Sequence, residues 1–325
     1  MGSSTGRVEI IQYLVDTRRL WPQAAKTKDL ENEASQALAL LSREERDAVL
    51  RYYFVADAKM SLVSALLKHW VVSRYAGVPW RATQLTRDAN KKPIFVLGSE
   101  GSNKQPVAFN VSHQAGLVAL VAVAGYADGE GVVDVGVDIV CTSERRARDH
   151  KIIASQGWPN FVDMHSDVFG RSEAGYLKRQ QQDRAGPRED ELLRQFYTLW
   201  CLREAYVKMT GEALLAPWLK DLEFRGFRAP EPGEGFVQRP DGFDDGGSDE
   251  LVASLEVIRE HNVVFKEEKV EDANICLRSL GPDYMTCTAV RTPARREDAL
   301  GWKLGPFQFL TLDEIIAHAE AHLRD

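Results

Sequence analysis

Apolar positions along the chain recur with two periods, and the change from one to the other marks the elements. Residues 8–15 (V-E-I-I-Q-Y-L-V) read as an opening strand, ended by the charged run Asp16-Thr17-Arg18-Arg19. Ser42 followed three residues later by Glu45 has the form of a capping box, and predicts a helix through Val49, Leu50 and Tyr53. Over residues 57–75 the apolar positions Met60, Val63, Leu66, Leu67 and Val71 share one helical face, until Gly77 and Pro79 stop the helix. Lys92-Pro93 leads into Ile94-Phe95-Val96 and a Gly/Ser-rich loop at 98–103. Residues 107–110 and 117–124 read as neighbouring strands joined through Ser112-His113-Gln114-Ala115-Gly116, and 132–140 as a β-branched strand with Asp138 near its end. The polar stretch 142–160 reads as a surface connection. Helices follow at 172–182 and 189–210, the second closed by Gly211 at the C′ position, with strands at 251–258, 274–280 and 284–291 and a last helix at 312–323.

A chain of 325 residues with 44% hydrophobic and 27% charged positions has the composition of a globular protein and the length of more than one core. Helices beside several strands recur in both halves, so the expected class is α/β (α+β) with two lobes, residues 1–132 and 133–325. Between 229 and 250 seven acids stand against Arg239 alone, among prolines and glycines, and this segment is expected to be a disordered acidic loop.

Lys plus Arg is 41 against Asp plus Glu at 48, a net charge of −7, so bulk charge argues against a nucleic-acid partner. The four cysteines show no C-x-x-C spacing, as in a reduced intracellular protein. The opening residues are polar, Gly6 stands where myristoylation needs Ser or Thr, and the longest apolar run, 115–124, is too short to cross a bilayer. The expected location is the cytoplasm, away from membranes.

Nucleotide-binding glycine loops, H-E-x-x-H and G-x-S-x-G are absent. His318 and His322, with Glu314 a turn earlier, have metal-ligand spacing but fit a solvated helix face better. Three segments set polar groups among apolar ones: Asn110-x-Ser112-His113, Gly136-Val137-Asp138-Ile139, and the turn Trp200, Glu204, Lys208, four residues apart on one helix face. Singly each has an ordinary explanation. Glu204–Lys208 has the spacing of a surface pair worth about 0.2–0.5 kcal/mol, His113 that of a structural histidine, and Asp138 that of a turn former.

Together, the ordered set Lys92-Pro93, Phe109-Asn110-x-Ser112-His113, Gly136-Val137-Asp138-Ile139 and Trp200-x-x-Arg203-Glu204-Ala205-x-x-Lys208 resembles the 4′-phosphopantetheinyl transferases. The likeness is to the surfactin-synthetase-activating type in its fungal form, and it runs over residues 8–225. It implies two lobes related by a pseudo-twofold axis, in a monomer with its site in the cleft between them. It also implies transfer of the phosphopantetheine arm of coenzyme A to a serine of acyl, peptidyl or aminoadipate-reductase carrier domains, with magnesium, or manganese in its place. Asp138 and Glu204 would hold the metal, Glu204 would accept the serine proton, and Lys208 would stabilise the leaving bisphosphate. Ser112 and His113 would bind phosphates, His113 at the 3′-phosphate, and Lys92-Pro93 would border the adenine.

Residues 43–92 carry ten basic side chains against five acids inside an acidic chain. Lys59 is the first choice there for a phosphate contact, followed by Arg43 and Arg46. Two positions depart from the bacterial pattern. Val140 stands where many relatives have a third acid, leaving that place to water or Gln114, and Arg203 stands where many have Lys, so that a planar fork in place of a point charge would contact a coenzyme A phosphate. The competing readings are a catalytically silent coenzyme-A-binding regulator of the same fold and a generic magnesium phosphohydrolase.

Overall fold

A strand without one polar side chain needs cover on both faces, and residues 117–124 (L-V-A-L-V-A-V-A) form such a strand. What covers it is seen in a computed structural model, which describes residues 8–98, 105–126, 132–180, 189–212, 216, 218–233 and 253–323. The N-terminal lobe runs β1 (Glu9–Asp16), α1 (Leu30–Glu33), α2 (Ser35–Ala39), α3 (Arg43–Leu50), α4 (Val55–Ala76), β2 (Thr86–Arg87), β3 (Pro93–Ile94), β4 (Val107–Gln114) and β5 (Leu117–Ala124). β5 lies antiparallel between β1 and β4. Its side chains alternate: Val118, Leu120 and Ala122 enter a core with α4, while Leu117, Ala119, Val121 and Val123 enter a second core shared with the other lobe.

That lobe runs β6 (Asp134–Cys141), α5 (Arg146–Gln156), α6 (Trp158–Asp163), α7 (Arg171–Gln180), α8 (Glu189–Thr210), β7 (Leu222–Arg225), β8 (Ala253–Ile258), β9 (Asn262–Phe265), β10 (Glu268–Lys269), β11 (Ala273–Leu280), β12 (Tyr284–Arg291) and α9 (Arg296–Leu300). Its main sheet has the order β6-β12-β11-β8, and a smaller one the order β10-β9-β7. On β6, Val135, Val137, Ile139 and Cys141 point into the shared core, whereas Val140 joins the core under α8. The mixed α/β class is as expected, and each lobe sets a 22-residue helix against a four-stranded sheet.

The chain then crosses back. β13 (Gln308–Phe309) pairs in parallel with β1, and α10 (Leu312–Ala321) buries Leu312, Ile315 and Ala319 in the α4 core. The expected division at 132/133 therefore needs correcting for the C-terminal end, whose partners are in the first lobe. His318 is likewise not on a solvated face: it packs edge-on to Trp70 and meets Ser73 Oγ at 3.1 Å.

Other differences follow from weak local signals. Residues 142–160 fold into α5 and α6 rather than a loose connection, with Trp158 fully buried. Apart from two alanines only Ile152 and Ile153 are apolar in α5, and no side chain caps its start, so little periodicity shows. α3 stops at Leu50, leaving Tyr53 in the open. β4 continues through Gln114, because Ala115 (φ 48°) and Gly116 (φ 88°) supply the two positive dihedrals of a two-residue hairpin turn. Residues 181–182, the loop 99–103 and most of the acidic segment (234–250) lie outside the described residues.

The capping box of α3 forms as expected, with Ser42 Oγ accepting the Glu45 N–H at 3.3 Å and Glu45 Oε2 accepting the Ser42 N–H at 3.1 Å. Glu45 does more: Oε1 meets His69 Nε2 at 2.8 Å, and His69 Nδ1 meets Thr83 Oγ1 at 2.7 Å, tying α3, α4 and the following turn together. Burial opposes the charge on Glu45, but its bonds to His69 and Ser42 outweigh that and hold the carboxyl at about 2. A depressed acid stabilises the fold above its unfolded value and loses that contribution as pH falls. Glu45→Gln should therefore cost about 1–2 kcal/mol at pH 7, and the deficit in urea unfolding should shrink as the pH is lowered from 4.5 towards 2.

Candidate active site

The site is built where β4 meets β6. These strands belong to separate sheets, and side chains join them in place of a backbone ladder. With a period of two, Asn110, Ser112 and Gln114 project from one face of β4. Asn110 Oδ1 accepts the Val137 N–H at 3.0 Å and Gln114 Oε1 accepts the Cys141 N–H at 3.1 Å. Between these two clasps Ser112 Oγ donates to Asp138 Oδ1 at 2.9 Å. His113, one residue on, projects from the opposite face.

The third wall is α8. A Cβ on Gly136 would stand 2.1 Å from the Ala205 carbonyl oxygen and 2.4 Å from the Met209 nitrogen, so only glycine lets the helix lie this close to β6. The approach carries Lys208 Nζ to 2.6 Å from Asp138 Oδ1 and 2.9 Å from Ser112 Oγ. Glu204, one turn earlier, has Oε2 at 3.9 Å from the same ammonium.

Asp138 is 5% exposed, and its Oδ2 is buried without a hydrogen-bond partner among the described residues. Burial raises the Glu204 carboxyl to about 7, the Lys208 charge pulling it down and the Asp138 charge adding to the rise. Burial also opposes the charge on Lys208, but Asp138 and Glu204 outweigh it and raise its value. Two carboxylates facing one ammonium, one of them with an unused oxygen, fit a hard divalent cation. Among the described residues no group of three or more His, Cys, Asp or Glu is arranged to hold a metal ion, so the remaining places would fall to substrate phosphate and water.

A cleft of about 420 Å³ opens beside these groups, lined on one side by Met60 and His113 and on the other by Val140, Phe196 and Trp200. Burial, with Lys208 nearby, lowers the His113 value. A smaller cavity of about 60 Å³ is lined by Lys92, Pro93, Phe109 and Met209. Lys92 Nζ donates to the Val135 carbonyl at 2.7 Å, and burial brings its value down to about 8.

Residues 27–125 match a family model described as 4′-phosphopantetheinyl transferase, N-terminal, and residues 134–246 match that of the 4′-phosphopantetheinyl transferase superfamily. The chain belongs to this superfamily. It is 45% identical over 311 residues to 4′-phosphopantetheinyl transferase 1 of Fusarium mangiferae, covering 96% of this chain and 95% of that protein. It is 37% identical over 321 residues to the 4′-phosphopantetheinyl transferase of Aureobasidium melanogenum, covering 86% and 90%. The L-aminoadipate-semialdehyde dehydrogenase-phosphopantetheinyl transferase of Homo sapiens is 28% identical over 179 residues, 55% of this chain and 50% of that one. A transferase enzyme is the supported reading, and a silent regulator is not favoured.

Within the transferase the motif residues divide between chemistry and architecture. Asp138, Glu204, Lys208 and Ser112 come together, and Trp200 lines the cleft beside them. Three expectations need correcting. Arg203, expected at a coenzyme A phosphate, is fully buried: Nη1 donates to Glu173 Oε2 at 2.7 Å and to the Leu222 carbonyl at 2.6 Å, and Nη2 donates to the Leu219 carbonyl. Gln114, expected to replace the third metal ligand, has its amide oxygen on Cys141 and its amide nitrogen on Glu144 Oε2 at 2.5 Å. Ser112 has its hydroxyl engaged between Lys208 and Asp138 instead of a phosphate.

Lys59 donates to the Trp21 carbonyl at 3.0 Å. Arg43 is 94% exposed, 3.9 Å from Asp47, and neither it nor Arg46 lines the cleft. Asn110 as a clasp and Gly136 as the point of approach were not singled out by sequence, although the two-residue period of Asn110, Ser112 and Gln114 was there to be read.

If Arg203 is an internal clamp, Arg203→Ala leaves Glu173 charged and unpaired in the interior, at a cost of about 3–5 kcal/mol in unfolding free energy. A change in coenzyme A affinity with stability unaltered would return Arg203 to the binding set. Glu204 carries an elevated value, so in the metal-free protein its contribution to stability is present below 4.5 and lost as pH rises through about 7. Native protein should thus lose about 2 kcal/mol between pH 4.5 and 8 relative to Glu204→Gln, measured by denaturant unfolding in the presence of a chelator.

Proposed function

We propose that this transferase moves the 4′-phosphopantetheine arm of coenzyme A onto a serine of acyl, peptidyl and aminoadipate-reductase carrier domains, acting as a cytoplasmic monomer. The observation that carries the reading is the convergence of Asp138, Glu204 and Lys208 within the C-terminal lobe, met across the lobe boundary by Ser112, with Asp138 Oδ2 buried and unused. No helix among the described residues is long and apolar enough to cross a membrane.

Asp138 and Glu204 would hold magnesium, or manganese, which when bound neutralises charge on the coenzyme A pyrophosphate. Glu204, whose raised value belongs to the metal-free protein, would be held ionised by a bound cation and so able to take the proton of the attacking serine hydroxyl, directly or through water. The new bond joins the serine oxygen to the phosphorus bearing the pantetheine arm. The bond that breaks joins that phosphorus to the oxygen of departing adenosine 3′,5′-bisphosphate. Lys208, kept cationic by its two carboxylates, stabilises the charge that develops on the leaving group. His113 reaches the cleft from β4 as a partner for the 3′-phosphate, Lys59 adds positive charge beside Asp57 and Met60, and Lys92 and Pro93 form the wall against which the adenine lies.

The reading is tested by intact-protein mass spectrometry of an apo carrier domain incubated with the protein, coenzyme A and magnesium. A phosphopantetheine-sized mass gain should appear, vanish with EDTA, and slow by at least about a hundredfold with Glu204→Gln. A gain indifferent to both would remove Glu204 and the cation from the mechanism.

A further inference from the structure

The histidines at the end of α10 take no part in the transfer chemistry, since neither lines the cleft or the smaller cavity beside it. His318 is in the last turn of the helix and His322 is its C-cap. Residues four apart share a helix face, and here the two rings stack, with centroids 4.1 Å apart and planes 27° from parallel.

The hydrogen bonds around the pair decide which nitrogen of each ring is free. Ser73 Oγ gives its one proton to the Val78 carbonyl at 2.9 Å. Its contact with His318 Nε2 at 3.1 Å therefore has the ring as donor, which leaves the His318 lone pair on Nδ1. His322 Nδ1 lies 2.8 Å from the His318 carbonyl, a group that only accepts, so the His322 lone pair is on Nε2. Neither free nitrogen has a partner among the described residues, and neither is among the buried polar atoms left unsatisfied there, so solvent reaches both. Burial, with His322 and Arg74 nearby, brings the His318 value down to about 4, and its ring is neutral at pH 7.

One ring nitrogen held by a fixed acceptor and the other left open is the arrangement that metal-bound histidines adopt. Two nitrogens each about 2.0–2.1 Å from one ion lie within roughly 4 Å of each other, which is the separation of these rings. Glu314, a turn earlier, is not a third ligand, because its Oε2 caps α10 by accepting the Thr311 N–H and hydroxyl, each at 2.7 Å.

We propose that His318 Nδ1 and His322 Nε2 form a second cation site, completed by water, for a divalent transition metal that prefers nitrogen ligands. Imidazole suits copper and zinc, whereas magnesium prefers oxygen, so this site and the carboxylates Asp138 and Glu204 select different ions. Two protein ligands, with the exposed cation Arg74 close by, set the affinity in the micromolar range. Ser73 ties His318 to α4, and the His322 carbonyl accepts the Trp80 N–H at 2.9 Å. An ion bridging the rings would pin the returning helix to the first lobe, and it acts on stability rather than on transfer.

The test is calorimetric titration of the full chain with copper, zinc or magnesium chloride. Copper should bind at one equivalent, zinc at least about tenfold more weakly, and magnesium should not displace copper. Bound copper should show two imidazole nitrogens by electron paramagnetic resonance and quench the fluorescence of Trp70, whose ring stands edge-on to His318 at 6.2 Å. Zinc at about a hundredfold excess over its Kd should raise Tm by about 4 °C. His322→Asn should weaken copper at least about tenfold and remove the quenching, with magnesium-dependent transfer within about twofold of native. This variant keeps the test open should His318→Gln disturb the packing on Trp70. Glu204→Gln should bind copper as the native protein does. Unchanged copper affinity in His322→Asn, or copper binding lost in Glu204→Gln, would overturn the site. Transfer without any copper binding by the native protein would overturn the site alone and leave the reading of function standing.

Discussion

The constraint on which this structure turns is a buried carboxylate that must be kept charged. Asp138 sits in the middle of a strand whose neighbours pack into two cores, where an unpaired charge would be costly. One of its oxygens is satisfied by Lys208 and Ser112, and the other is left bare. Ion pairs of this kind add little to stability against a well-packed apolar alternative, and it is the bare Oδ2 beside this pair that speaks for chemistry. The surroundings agree: Gly136 gives up its side chain so that α8 can bring Lys208 close, and Thr286 Oγ1 holds the Asp138 carbonyl at 2.8 Å.

A second buried ion pair supports the first from the other side of the same helix. Arg203 and Glu173 have no exposed surface, and Glu173 also accepts the Gly170 and Phe224 N–H groups, each at 2.7 Å. The pair locks α8 to α7 and β7, and so fixes which way the next residue, Glu204, points. A motif that looks like a run of substrate contacts is thus half scaffold.

The lobes are joined by more than the polar contacts of the site. A shared apolar core lies between the two main sheets, Tyr284 donates its hydroxyl to the Ala115 carbonyl at 2.6 Å, and Gln12 reaches Thr288 at 3.2 Å. The chain adds a third tie by returning its last strand and helix to the first lobe. A site assembled from β4, β6 and α8 needs this rigidity, because a small relative shift would separate Ser112 from Asp138 and open a buried charge to water.

Much of this is written locally. The unbroken apolar run of β5, the capping box at Ser42, the single apolar face of α4, and the four-residue spacing of Trp200, Glu204 and Lys208 were legible because each is a periodic or short-range pattern. The acidic and basic residues of the candidate site were chosen through the order of their motifs and the likeness to a family, since each taken singly has an ordinary explanation. Which partner each polar group takes was not legible. Gln114 and Arg203 have the chemistry of ligands in any linear reading, and only the packed structure gives the first to the Cys141 backbone and the second to Glu173. The helix α5 and the return of the C-terminal segment were hidden for the same reason, as too few of their residues are apolar, or too distant is the surface they cover, for any local period to show it. Sequence by itself determined the elements and the chemical types at the site, because those follow from nearest neighbours along the chain. The tertiary structure alone decided which charges meet, because hydrogen bonds and burial are settled by neighbours in space.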